Sequence, residues 1–169
     1  MRTRYYLIFI ILTFVMGSAF PQETAKKSKQ ERDLEKQKQI EELVNSKNFM
    51  FIARTAFSQR GRAIQLTSRP NTVAFSPDLI SSDLPFFGRA YAGAAYGESV
   101  GYTFEGKPDV FTIEPDKKGY NIKAVVKTPA DTYTLILLAG SGGSASLTIS
   151  SNNRSTMSYS GDISKAEEK

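Results

Sequence analysis

The chain has 169 residues and a formal charge of +5, and it contains neither histidine nor cysteine. Those two absences exclude disulfide bonds, a Ser-His-Asp triad and zinc sites of ordinary composition. The modest positive charge favours solubility, and no basic stripe with interleaved aromatic residues points to nucleic-acid binding.

Residues 1–19 are typical of a secretory signal peptide. Arg2 and Arg4 precede an uncharged apolar run at 5–16, and small residues at 17–19 offer a cleavage site. A run of this length is too short to span a hydrocarbon core of roughly 30 Å as a helix. An uncleaved anchor is the alternative. We therefore expect a periplasmic or secreted protein with no membrane span after signal removal, which lowers the charge from +5 to +3 because Arg2 and Arg4 are lost.

Residues 20–47 form a charged linker followed by a predicted helix. Lys, Glu and Gln dominate this stretch and favour helix formation. Apolar residues at helical spacing form a thin stripe at Leu34, Ile40, Leu43 and Val44. The spacing predicts a helix over about 31–45 that packs against the rest of the protein with its second half only.

Residues 48–164 form a predicted single β domain, with a short charged tail at 165–169. Apolar residues recur at every second position in successive runs, which puts them on one face of each strand. The stretch 49–57 is apolar on both faces and predicts a central strand. Strands return every eight to twelve residues, which is typical of a sandwich or barrel. We predict an all-β, antiparallel sandwich or small barrel of about 8–10 strands, preceded by one N-terminal helix.

The segment 76–101 differs from its surroundings because proline, glycine and aromatic residues are dense in it. The composition predicts irregular chain with one short strand around 79–82. Its aromatic block is the candidate ligand-binding site, since aromatic rings give large contact areas at low entropic cost. The alternative is that the first two rings plug one end of the barrel. The candidate site comprises Phe86, Phe87, Arg89, Tyr91, Tyr96 and Tyr102.

Two catalytic patterns occur and neither predicts an enzyme. The run at 97–101 matches the spacing of a nucleophile elbow, but a strand follows it and the chain has no histidine. Five carboxylates could supply the pair that glycoside hydrolysis needs, but the interpretation we favour is that they are exposed charges on strands and turns. These are Glu98, Glu105, Asp109, Glu114 and Asp116. We predict no catalytic residue, no metal site and no cofactor.

Three stretches carry a resemblance to a known family. These are Asn48-Phe49 with Phe51 and Ala53, the run Leu-Pro-Phe-Phe-Gly-Arg-Ala-Tyr at 84–91, and Tyr159-Ser160-Gly161 with Ile163. The chain resembles an exported bacterial family known as domain of unknown function 4251. The resemblance implies an envelope or periplasmic location and a compact β-rich domain. It implies no activity and therefore no catalytic residue.

The function expected from these observations is a non-enzymatic module outside the cytoplasm that binds an apolar or aromatic-stacking small ligand. The alternative is a structural or protein-interaction subunit of the bacterial envelope. Such a subunit would dock through its helix or through an exposed sheet edge.

Overall fold

The structure is a computed structural model that describes residues 29–58, 61–67, 71–91 and 101–166. The chain divides into two compact units, Met1–Arg32 and Asp33–Lys169. Within the first unit, the described residues are 29–32, which form the exposed beginning of a helix. The second unit contains the rest of that helix and all ten strands.

The helix α1 spans Lys29–Asn45, close to the predicted bounds. Residues 33–39 are exposed, and Leu34 leaves 53 % of its side chain in solvent, whereas Val44 is completely buried. The helix ends where Lys47 adopts a left-handed φ of 57°, the conformation that commonly terminates helices. The second half of α1 therefore packs against the barrel, as the thin apolar stripe predicted.

The strands are β1 (Phe49–Phe57), β2 (Ala63–Gln65), β3 (Thr72–Phe75), β4 (Ile80–Pro85), β5 (Gly101–Gly106), β6 (Pro108–Asp116), β7 (Gly119–Lys127), β8 (Thr132–Gly140), β9 (Ser144–Ser151) and β10 (Met157–Lys165). They form one sheet in the order β5-β4-β3-β1-β10-β9-β8-β7-β6, with β2 paired to β1. Every pairing is antiparallel. The sheet curls into a nearly closed barrel, which confirms the predicted fold class.

Strand β1 lies at the centre of the sheet, as its two apolar faces predicted. It pairs with β10 along its whole length, with β3 at its beginning and with β2 at its end. A bulge between Ala53 and Thr55 shifts the β1–β10 register, and Arg54 there pairs with Asp162. The backbones approach so closely that a Cβ on Gly161 would overlap the carbonyl oxygen of Ile52. Only glycine fits at that position.

The barrel is not fully closed by strand pairing, because the two end strands β5 and β6 pair with β4 and β7 and not with each other. Instead, β5 packs across the interior. The ring of Phe104 stacks on Tyr133 of β8 with centroids 3.9 Å apart. A Cβ on Gly106 would come within 2.9 Å of the side chain of Val126 on β7. Side-chain packing of β5 against β7 and β8 therefore covers the core at the place where strand pairing is missing.

Large side chains fill the inside of the barrel. The alternating residues of the strands point inward and share one hydrophobic core. Its largest completely buried members are Tyr102, Tyr159, Phe49, Phe51, Phe75, Ile80, Leu84, Ile122, Leu135, Leu137, Leu147 and Ile149. Burial on this scale, at about 1.5–3 kcal/mol for a large apolar side chain, holds together a chain without cysteine.

The prediction for 76–101 needs a correction, because a full strand, β4, replaces the short one expected at 79–82. Ser, Asp and Pro are rare in strands, and because they occupy much of this segment, apolar and polar residues do not alternate clearly along it. Ser82 is buried in this strand, and its hydroxyl is satisfied because it donates a hydrogen bond to the carbonyl of Tyr102 at 2.8 Å. The predicted irregular stretch at 92–100 lies outside the described residues.

In the described part of the chain, no helix combines the length and apolar content that crossing a bilayer requires. The same residues hold no group of three or more acidic side chains arranged to bind a metal ion.

Candidate ligand-binding site

The predicted site residues lie at the end of the barrel where β4 finishes and β5 begins. Phe86 is 8 % exposed and Tyr102 is fully buried. Their rings meet edge to face with centroids 5.2 Å apart. The Arg154 guanidinium covers both rings, at 5.6 Å and 5.9 Å from their centroids, and donates to the carbonyl of Gly101. These three side chains form a plug, and the cation–π contacts stabilise it.

Two buried tyrosine hydroxyls tie the plug to the backbone. Tyr102 donates to the carbonyl of Ser155 at 2.8 Å, and Tyr159 donates to the carbonyl of Pro85 at 2.8 Å. Burial raises the pKa of both tyrosines well above its ordinary value, although the nearby Arg154 charge opposes that shift. Both hydroxyls are therefore held neutral as hydrogen-bond donors, which is a structural role.

The segment that follows the plug is bound to the β9–β10 connection through its backbone. The amide of Arg89 donates to Ser155 Oγ, and the amide of Ser155 donates to the Arg89 carbonyl, both at 2.9 Å. The amide of Tyr91 donates to the Asn153 carbonyl at 2.7 Å. With their backbone held in this way, Phe87 and Tyr91 leave 42 % and 66 % of their side chains in solvent. We call Phe87, Arg89 and Tyr91 the aromatic rim.

The structure thus divides the predicted site into two groups. Phe86 and Tyr102 come together in the plug, whereas Phe87, Arg89 and Tyr91 are exposed outside it. Tyr96 lies outside the described residues. Sequence alone did not separate these groups, because neighbouring aromatic residues look alike until the burial of each is known.

The carboxylates considered for hydrolysis are dispersed. Asp109 pairs with Lys127 at 2.9 Å. Glu105, Glu114 and Asp116 are exposed, and Glu98 lies outside the described residues.

A feature that sequence reasoning missed lies at the opposite end of the barrel. The second half of α1 and the end of β10 line a half-open cleft of about 880 Å³, which we call the helix cleft. Its apolar walls include Ile40, Leu43 and Ile163. The thin helical stripe was the sequence signal for two of these residues, but the third comes from the last strand, and only the fold brings them together.

Polar groups surround the apolar walls of the helix cleft. Glu42 on α1 and Lys165 at the end of β10 place opposite charges on its border, with Asn48 beside them. Ser46 is already engaged, because its hydroxyl donates to the Leu43 carbonyl at 2.7 Å and accepts from the Asn48 amide at 3.2 Å. Apolar walls with a few polar groups at the edge are the usual make-up of a small-molecule site.

A smaller cleft of about 210 Å³ is lined by Gln37 of α1 and by the β6–β7 turn. Lys117, Lys118 and Tyr120 contribute to its walls. Burial raises the pKa of Tyr120, and the nearby carboxylate of Glu41 adds to that effect. Its size is below the range of about 300–1,000 Å³ that is typical of ligand pockets.

Comparison with known proteins identifies the family. A crystal structure of a DUF4251 family protein from Bacteroides eggerthii superposes with a TM-score of 0.61 at 20 % sequence identity, covering 80 % of this chain and 91 % of that chain. At this identity the likeness supports the fold alone. No curated protein matches the chain. Residues 31–163 match the sequence profile of the family described as "Domain of unknown function (DUF4251)", so the protein belongs to that family, as its resemblance predicted.

Proposed function

We propose that this protein is a non-enzymatic module outside the cytoplasm that binds an apolar small ligand in the helix cleft. One observation carries the proposal: a cleft of about 880 Å³ with apolar walls lies beside a barrel whose interior is filled with side chains. The volume falls within the range of about 300–1,000 Å³ that is typical of ligand pockets.

Two features of the sequence support the remaining parts of this proposal. Residues 1–19 have the charge, apolar run and small residues of an export signal. The chain contains no histidine, the most frequent general base, and no cysteine, one of the common nucleophiles. These two absences favour ligand binding over catalysis as the function of this domain.

The test uses N-phenyl-1-naphthylamine, an uncharged apolar fluorophore, titrated into the mature protein. Ala166 lines the helix cleft just beyond β10, and Ala166→Trp should fill part of it. We expect the affinity for the fluorophore to fall about tenfold, or about 1.4 kcal/mol. The matched control is Ala130→Trp, which adds the same ring at an exposed turn and should leave the affinity unchanged.

A second pair of variants tests the aromatic rim as the binding site. Phe87→Ala and Tyr91→Ala remove its exposed rings without touching the plug. If these variants abolish fluorophore binding while Ala166→Trp does not, the helix cleft is the wrong site and the rim predicted from sequence is the right one.

The runner-up is a protein-interaction subunit of the envelope, favoured by the open sheet edge at β6. Val110 on this strand is 40 % exposed, and an extended segment of a partner protein could add to the edge by strand pairing. Deleting the helix does not separate the two functions, because Val44 on that helix is buried in the core. The substitution Val110→Lys separates the two functions, because it should weaken capture of a partner protein and leave fluorophore binding unchanged.

A further inference from the structure

The border of the helix cleft carries one charge of each sign. Glu42 approaches from α1 and Lys165 from the end of β10, and both residues are exposed. The described ion pairs of Arg54 with Asp162, Lys107 with Asp78 and Lys127 with Asp109 include neither Glu42 nor Lys165. Both residues line the cleft that a ligand would enter.

The apolar walls lie between these two charges and are held in place by the barrel. Ile163 is 6 % exposed and belongs to the hydrophobic core. Ile40 packs over the turn at Gly143, where its Cδ1 lies 3.1 Å from the position a Cβ would occupy. Leu43 packs against the same core from the helix. A ligand therefore meets a preformed apolar surface, and its binding does not have to order these side chains.

Charge complementarity decides between the amphiphiles that could enter the cleft. A carboxylate drawn to Lys165 is repelled by Glu42, and an ammonium group drawn to Glu42 is repelled by Lys165. A head group that carries both charges can place each beside its opposite. The side-chain amides of Gln39 and Asn48, which also line the cleft, can donate hydrogen bonds to the anionic end of such a head group.

We infer that the ligand of the helix cleft is a single-chain amphiphile with a zwitterionic head group. The apolar chain lies on Ile40, Leu43 and Ile163, the anionic group faces Lys165, and the cationic group faces Glu42. This inference rests on the proposed function, since it names the ligand class of the same cleft.

The experiment compares three probes with the same ten-carbon alkyl chain: undecanoate, decylammonium, and the zwitterion N-decyl-N,N-dimethylglycine. Each is titrated calorimetrically into the mature protein below the concentration at which it forms micelles. The zwitterion should bind about two- to fivefold more tightly than either singly charged probe, which is the size expected of exposed charge pairs.

Two charge-removing variants assign the effect to the border residues. Glu42→Gln should strengthen undecanoate binding and weaken decylammonium binding, each by about two- to fivefold, and Lys165→Gln should do the reverse. The matched controls are Glu41→Gln on the same helix and Lys123→Gln on β7, neither of which lines the cleft. Both controls should leave all three affinities unchanged.

The outcomes separate this inference from the proposed function. Equal binding of the three probes, or equal effects of the Glu41 and Glu42 variants, overturns the zwitterion inference, while apolar binding that Ala166→Trp blocks still stands. Absence of binding by every probe, including the uncharged fluorophore, overturns the proposed function and the inference together.

Discussion

Two adjacent phenylalanines have opposite environments at the β4 end of the barrel. Phe86 is 8 % exposed and packs against Tyr102 and Arg154, whereas Phe87 is 42 % exposed. A run of aromatic residues in a turn has no period that tells inward from outward positions. The alternative in which both rings plug the barrel therefore holds for one residue of the pair and fails for its neighbour.

The substitution Phe86→Ala should destabilise the fold by about 3–5 kcal/mol, because it empties a packed site and removes the ring beneath Arg154. The matched change Phe87→Ala should stay within about 0.5 kcal/mol of the parent protein. Urea denaturation followed by circular dichroism measures both. Similar losses from the two variants would contradict the division between plug and rim.

The buried tyrosines predict a loss of stability at alkaline pH. Burial raises the pKa of Tyr102 and Tyr159, while in the unfolded chain tyrosine titrates near pH 10. Above about pH 10 the folded state therefore holds more protons than the unfolded state. The free energy of unfolding then falls as pH rises, and below that pH this contribution to stability is fully present.

Denaturation curves from about pH 7 to about pH 11 test this behaviour, a range that brackets the ordinary tyrosine pKa. Tyr159→Phe should flatten the decline above about pH 10, since it removes one titrating group from the core. The control Tyr91→Phe, at a side chain that is 66 % exposed, should leave the slope unchanged. A stability that stays constant to the alkaline end of the range would show that these hydroxyls do not titrate on unfolding.

At the scale of elements, the sequence predicted the positions of the strands far better than the contacts between them. The alternation of Tyr133, Leu135 and Leu137 placed β8 correctly, and all three side chains are buried. The same method misplaced β4, because serine and aspartate occupy positions where apolar residues would have marked the pattern. It also gave no sign of the bulge at Arg54, which depends on a partner strand at the far end of the chain.

The close approach of β1 and β10 predicts a sharp difference between two glycines. Gly161→Ala would drive a methyl group into the carbonyl of Ile52, and should cost about 1–3 kcal/mol through strain in the sheet. Gly142→Ala serves as the control, because no atom lies within 4 Å of the added methyl group. Thermal unfolding of both variants provides the measurement, and equal melting temperatures would argue against the close approach.

At the scale of the whole molecule, the barrel depends on its last strand. Strand β10 lies between β1 and β9 and joins the first half of the sheet to the second. Its inward residues Met157, Tyr159 and Ile163 are all buried. Removal of β10 therefore exposes two strand edges and part of the core at the same time.

A chain that ends at Thr156 should show no cooperative unfolding transition and should aggregate, because it lacks β10 altogether. A chain that ends at Lys165 keeps all of β10 and should unfold in a single step, as small domains usually do. Urea denaturation and size-exclusion chromatography distinguish the two. Cooperative unfolding of the shorter chain would mean that the core does not require the β1–β10 pairing.

The amino-acid sequence by itself determined the class of fold, because a period of two in apolar residues is a local property that nearly every strand carries. It also determined which chemistry is absent, since composition alone excludes thiol and imidazole groups. Only the tertiary structure decided which aromatic residues face solvent and where a cleft forms. The walls of that cleft come from the helix before β1 and from the end of β10, and their proximity is a consequence of the β1–β10 pairing, which no local pattern encodes.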